Sequence, residues 1–137
     1  MTRTLLDSGP LVAFFDRKDG KHRWAYDQMG LLQPPLLTCE PVLTEAAFLL
    51  QRGTGNPALV LQALQQGTLQ VAFDVETEAA ALEALMRRYA DVPMSLADAC
   101  LVRLSELHRD SQVFTLDRDF TRYRRHGRHV IPLLAPW

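Results

Sequence analysis

This 137-residue sequence predicts an α/β fold, with a mostly parallel central sheet of four to five strands and helices on both faces. Three observations carry that expectation. Short apolar runs of strand length alternate with helical segments from end to end, the order that gives a parallel sheet covered by its own crossovers. Prolines and glycines fall where such helices should start and stop, notably Pro10, Pro57, the Gly53-Thr54-Gly55 turn and Gly67. A hydrophobic fraction of 47% and a charged fraction of 23% in a chain of this length fit one ordinary core, so residues 1–137 are read as a single domain.

Each element has its own local reason. Thr2–Leu6 is a β-like run ending at Asp7, after which Ser8 can cap a helix running through Leu11–Phe15 with Pro10 in its first turn. Residues 21–32 form a second helix, with Trp24, Met29, Leu31 and Leu32 as its apolar surface, ended by Pro34 and Pro35. Leu36–Thr38 is a short strand and Pro41–Arg52 a strong helix. Asn56 and Pro57 cap and open another helix ending at Gly67, and Thr68–Phe73 alternates as a strand. Val75–Ala90 is Ala/Leu/Glu-rich and helical, Pro93 breaks it, and Ser95–His108 is a further helix. Gln112–Leu116 reads as a strand, Phe120–Arg125 as a short helical turn and His129–Leu133 as the closing strand.

Net charge is −1, which predicts no particular partner, but its distribution is uneven. From Phe120 to Trp137 the chain holds Arg122, Arg124, Arg125, Arg128, His126 and His129, and no acid. Arg17, Lys18, Lys21 and Arg23 form a second basic stretch near the N-terminus. On charge alone these are two solvated faces; beside a carboxylate-rich centre they would suit a polyanion. Cys39 and Cys100 lie far apart in apolar surroundings without a C-x-x-C pair, so buried free thiols fit them better than zinc or a disulfide. The His126/His129 spacing lacks companion ligands for zinc. Asp7 interrupts any signal-peptide core, and no segment approaches a membrane span, so a cytoplasmic protein without membrane contact is expected.

Four acids stand where acids should be expensive. Asp7 and Asp117 each follow a strand, at the sheet edge where open α/β folds bind ligands. Glu45 has apolar neighbours at helical spacing (Pro41, Val42, Phe48, Leu49), as does Asp98 (Met94, Leu101, Val102). An ionised carboxylate in apolar surroundings must be paired, protonated or metal-bound, and no Arg or Lys is a local neighbour of Asp7, Glu45 or Asp98. All-oxygen ligation by converging carboxylates favours Mg²⁺ or Mn²⁺. Plainer roles compete: Asp7 as a helix cap, Asp98 as the third position of the capping box Ser95-Leu96-Ala97-Asp98, Asp117 or Asp119 as caps of a turn at Phe120, and Glu45 as the partner of a distant Arg87 or Arg128.

At this point the chain resembles the PIN-domain nucleases, particularly the VapC-type toxins of bacterial toxin–antitoxin pairs. The carriers are LLDSGPLVAFFDRKDGKH, CEPVLTEAAFLL, SLADACLVRLSE and VFTLDRDF, in family order over nearly the whole chain. The resemblance implies an acidic quartet of Asp7, Glu45, Asp98 and Asp117 that is both catalytic and metal-ligating, with Asp119 as a fifth member and Ser8 and Thr115 as polar supports. Glu40 competes with Glu45 for the second position, and spacing favours Glu45. It further implies a Mg²⁺- or Mn²⁺-dependent endoribonuclease yielding a 5′-phosphate and a 3′-hydroxyl, a homodimer, and a separate antitoxin polypeptide as partner. Arg17, Lys18, Lys21, Arg23, Arg122, Arg124 and Arg125 become candidates for holding RNA backbone, with Trp24, Tyr26 and Tyr123 as candidate base stackers and Trp24 more naturally core.

Rival classes fit less well. A phosphotransfer receiver needs paired acids after its first strand and a lysine near its last, whereas Asp7 stands alone and the only lysines are Lys18 and Lys21. A haloacid-dehalogenase-type phosphatase needs D-x-D where this chain has Asp7-Ser8-Gly9. Two alternatives remain: a non-catalytic PIN-like module binding RNA or protein, and a housekeeping RNA-processing nuclease of the same fold.

Overall fold

The computed structural model describes all residues, Met1–Trp137. Five strands make one parallel sheet in the order β3-β2-β1-β4-β7, comprising β1 (Arg3–Leu6), β2 (Leu36–Thr38), β3 (Leu69–Val71), β4 (Ser111–Phe114) and β7 (Leu133–Leu134). Between them run α1 (Ser8–Phe15), α2 (His22–Leu31), α3 (Glu40–Gly53), α4 (Leu59–Gln65), α5 (Ala79–Arg88) and α6 (Leu96–Leu107). A 3₁₀ turn (Arg118–Thr121) and an antiparallel hairpin of β5 (Arg124–Arg125) and β6 (His129–Val130) lie between β4 and β7.

β1 is the middle strand, paired with β2 through Leu5↔Leu37 and with β4 from Arg3↔Ser111 to Leu6↔Phe114. The pleat sends successive side chains to opposite faces, so one strand feeds two cores. Leu5 and Val113 join Leu101, Leu104, Phe120 and Tyr123 under α5 and α6. Leu6 and Phe114 join Leu11, Leu43, Leu50 and Val60 under α1, α3 and α4. Leaving β1, the chain builds outward to β2 and β3, then returns to β4 and β7 on the other side. The strand order therefore reverses between β1 and β4, and the crevice outside their carboxyl ends is the ligand site expected of such sheets.

Most expected elements are present, and the differences are local. The cap of α1 is Asp7, with Ser8 its first residue: the Asp7 carboxylate accepts the Ser8 N–H. α4 begins at Leu59 without a side-chain cap, so Asn56 does not play that part. Phe120–Arg125 is not a helical turn, because the 3₁₀ turn ends at Thr121 and Arg124 and Arg125 enter the hairpin, which reverses through His126 and Gly127 at positive φ. The closing strand is Leu133–Leu134; His129 and Val130 are exposed hairpin residues, Ile131 is buried in the core, and half-buried Leu133 packs against it. Trp24 packs edge-on against Phe114 at 5.4 Å, a core contact rather than a base-stacking surface. No helix is long and apolar enough to cross a membrane.

Phe114 is fully buried in β4 and packs against Trp24, so Phe114→Ala should destabilise the protein by about 3–5 kcal/mol in urea unfolding. A loss below ~1 kcal/mol would contradict this packing.

Candidate active site

The acids come from four separate places and meet over the β1/β4 crevice. Asp7 follows β1 directly and continues its ladder, its N–H donating to Phe114 O at 3.0 Å. Asp117 lies just past β4, Asp98 in the first turn of α6, and Glu45 in the second turn of α3. These four and Asp119 line one cleft of about 560 Å³, together with Ser8, Ser95 and Arg118. Carboxylate oxygens of Asp98, Asp117 and Asp119 come within 4.8 Å of one another. Asp119 therefore belongs to the tightest group of acids, and Asp7 and Glu45 flank it.

Hydrogen bonds fix four of the five carboxylates, all but that of Asp119. Thr115 donates its hydroxyl to Asp7 Oδ2 at 2.6 Å and accepts the Asp117 N–H at 2.9 Å, tying the two strand ends together through one oxygen. Ser8 N–H meets Asp7 Oδ1 at 2.8 Å, while Ser8 Oγ donates to Glu45 Oε1 at 2.9 Å. The Tyr123 hydroxyl donates to Asp98 Oδ2 at 2.7 Å, and the Asp98 N–H bonds Ser95 Oγ at 3.0 Å. Asp117 accepts the Asp119 N–H at 2.9 Å. The capping roles weighed from sequence are thus realised for Asp7, Ser95 and Asp117, and those caps are what aim the acids into the cleft.

None of the five acids is ion-paired; every salt bridge of the protein lies elsewhere. Burial dominates the consequence for Asp7, which is 6% exposed and has its pKa pushed up to about 7. Bonds from Thr115 and Ser8 oppose that shift, and the negative charges of Asp98 and Glu45 add to it. Asp98 is also raised, first by burial and then by Asp117 and Glu45, against the bond from Tyr123. Burial and the Asp98 carboxylate together push the Tyr123 phenol up, so it stays a donor. Closely grouped oxygen ligands without a counter-cation suit a hard divalent ion, and the residues present fit one.

Several sequence expectations need relocating. Glu45 is not buried: its apolar neighbours Phe48 and Leu49 are themselves surface residues, so it sits at the lip and owes its place to Ser8. It meets neither Arg87, which pairs with Glu83, nor Arg128. Glu40 lies outside the cleft, facing grooves beside α3. Tyr123 is fully buried on Asp98 and cannot stack on a base; Tyr26 stays exposed, stacked on Phe14. Arg17, Lys18, Lys21 and Arg23 are exposed beyond the far end of α1 and do not line the cleft, nor do Arg122, Arg124 and Arg125. Arg118 does line it, its guanidinium 4.7 Å from the Trp137 ring centre, and sequence reasoning passed over it as the spacer between two acids.

A doubly wound parallel sheet with a carboxylate cluster at its switch point defines an α/β protein with a candidate divalent-cation site. The model of the PIN domain family matches residues 4–126, and the chain belongs to that family. It is 26% identical over 116 residues to ribonuclease VapC26 of Mycobacterium tuberculosis (strain ATCC 25618 / H37Rv), covering 83% of this chain and 86% of that protein. The fold matches the crystal structure of Mycobacterium tuberculosis VapC20, described as a toxin that cleaves the sarcin-ricin loop. That match has a TM-score of 0.74 and 23% identity, over 87% of this chain and 93% of that one.

In metal-free protein the Asp7 shift makes stability pH-dependent. Unfolded, this carboxyl ionises near 3.8; folded, it keeps its proton to about 7, so the folded state binds more protons between those values. Stability should therefore fall as pH rises through that window, by up to about 4 kcal/mol from this group. Urea unfolding in EDTA should record the fall in the wild type and a much flatter profile in Asp7→Asn; equal slopes would refute the assignment. Thr115→Val removes a bond that lowers the Asp7 pKa, so carboxyl NMR should find Asp7 titrating higher still.

Proposed function

We propose that residues 1–137 are one Mg²⁺- or Mn²⁺-dependent endoribonuclease unit, the toxin of a VapBC-type pair. The observation that carries this reading is a single cleft lined by Asp7, Glu45, Asp98, Asp117 and Asp119 without an ion-paired base among them. The names of its relatives agree with it: one is a ribonuclease, and another is a toxin that cleaves an RNA loop.

Asp98, Asp117 and Asp119 would supply the closest ligand oxygens, with Asp7 beneath them and Glu45 at the lip. When bound, the ion supplies Lewis-acid charge that activates water and stabilises the phosphate and leaving oxygen. The chain's own residues orient the carboxylates: Thr115 holds Asp7, Ser8 holds Glu45 and Tyr123 holds Asp98. Arg118 is placed to meet a phosphate oxygen beside the acids. Water adds to phosphorus and the bond to the 3′ oxygen breaks, leaving a 5′-phosphate and a 3′-hydroxyl. No side-chain nucleophile is required.

A cytoplasmic setting, a separate antitoxin polypeptide and a homodimer complete the reading. Phe48, 59% exposed beside the cleft, and Leu61, 55% exposed on α4, offer apolar surface for such partners.

Cleavage of end-labelled structured RNAs tests the chemistry. Wild type should cut with Mg²⁺ or Mn²⁺ and stop in EDTA, Asp7→Asn and Asp98→Asn should lose at least about a hundredfold, and Glu40→Gln should retain activity. Cutting that survives EDTA or both substitutions would sink the mechanism. Absence of cutting, together with RNA binding that ignores divalent ions, would instead favour a non-catalytic binding module.

A further inference from the structure

The basic hairpin builds a second, separate cavity at the opposite end of α6 from the acids. It encloses about 540 Å³ and is lined by Arg109, Arg125, His126, His129 and Val130, with no acid among them. Its walls are fixed. Arg124 N–H donates to the Tyr89 hydroxyl at 2.9 Å, His126 N–H to Glu106 Oε2 at 2.7 Å, and Arg88 Nη2 to Gly127 O at 2.5 Å. Arg125 Nη1 donates to the carbonyls of Ser105 and Arg109, capping the end of α6 and leaving its other donors free for the cavity.

The nearest acids are already engaged. Glu106 bonds Arg103 and the His126 backbone, and Asp110 pairs with the N-terminal amine and the Thr2 hydroxyl. Arg109 has no ion pair, and the His126 and His129 rings lie 6.4 Å apart. Two arginines without an ion pair and two histidines thus surround a concavity that only the Glu106 carboxylate approaches, through the His126 backbone, an arrangement that can take a phosphate.

The chain between the two sites follows α6. Tyr123 touches Asp98 in the first turn of α6, and two residues later Arg125 touches Ser105 and Arg109 at its other end. Arg122, just before Tyr123, and Arg128, in the turn of the hairpin, are exposed without an ion pair. α6 has 12 residues, so acids and pocket are separated by about 16–18 Å, a few nucleotides of extended single strand.

Resting on the nuclease reading above, we propose that the Arg109/Arg125/His126/His129 pocket is a distal phosphate anchor for the RNA whose scissile bond lies at the acids. It holds the strand's backbone without reading bases, so it sets how much single-stranded RNA must flank the cut.

The test uses Arg109→Gln/His129→Gln, both exposed positions, against a charge-loss control, Arg52→Gln at the end of α3, which makes no contact with the hairpin. Binding of a fluorescent single-stranded oligonucleotide is followed by anisotropy in EDTA across a salt series. The pocket variant should bind about tenfold more weakly, with its log–log salt slope shallower by about 0.7 per lost contact, and the control should change less than twofold. In cleavage assays its KM should rise on a substrate with long single-stranded arms and stay unchanged on one trimmed close to the cut, with kcat unchanged on both. Equal effects of the two variants, equal losses on long and trimmed substrates, or no RNA binding by the wild type would each overturn the anchor. If the wild type cuts and the pocket variant matches it throughout, the anchor fails and the nuclease stands. If the pocket variant alone loses binding and no RNA is cut with either metal, the anchor stands and the nuclease reading fails.

Discussion

Everything in this molecule turns on holding like charges together in a place where water is scarce. Two ionised carboxylates near 4.8 Å repel by roughly 3 kcal/mol in a surface-like medium, and five acids share one cleft. The protein meets this with oriented donors rather than bases. Thr115, Ser8 and Tyr123 donate to the carboxylates, and Asp7 relieves part of the strain by keeping its proton to about pH 7. Donors of this kind leave the outward lone pairs of the carboxylates available, whereas a paired arginine would occupy them.

The same economy explains why capping and site residues coincide. A cap must sit where a strand yields to a helix, and in a parallel sheet every such place is at the carboxyl edge. Asp7 ends β1 and begins α1; Asp117 ends the β4 segment and begins the 3₁₀ turn. Sequence reasoning treated cap and ligand as competing roles for these acids, while the backbone makes the first the means of the second.

What could be read from the sequence divides along physical lines. β1, β2 and β4 are short apolar runs alternating with helical segments, so their order and a mostly parallel sheet are legible; that β1 and β4 are neighbours, on which the meeting of Asp7 and Asp117 depends, is not. Nor is the stretch after Asp119. Its arginines give no period, and the reversal through His126 and Gly127 depends on positive φ at a non-glycine residue. The apolar face around Glu45 is split, with Val42 in the core and Phe48 and Leu49 at the surface, and the Glu45 bond to Ser8 spans 37 positions, beyond any local pattern. Tyr123 looked like a free aromatic because its partner, Asp98, lies 25 positions earlier. Arg118 carried no signal beyond its place between two acids.

The pairing of β1 with β4 also governs when the cleft can exist. Arg3 waits for Ser111, so the first strand of the chain must find a partner made more than a hundred residues later. At synthesis rates of about 5–20 residues per second, several seconds separate the two strands. During that interval Glu45 and Asp98 are already made, but Asp7 has neither Thr115 nor the Asp117 and Asp119 that complete the cleft. The complete cleft is thus a property of long-range contact order: a chain that stops short of β4 carries Asp7, Glu45 and Asp98 without Asp117 and Asp119, and the site closes only once Ser111–Phe114 has paired with β1.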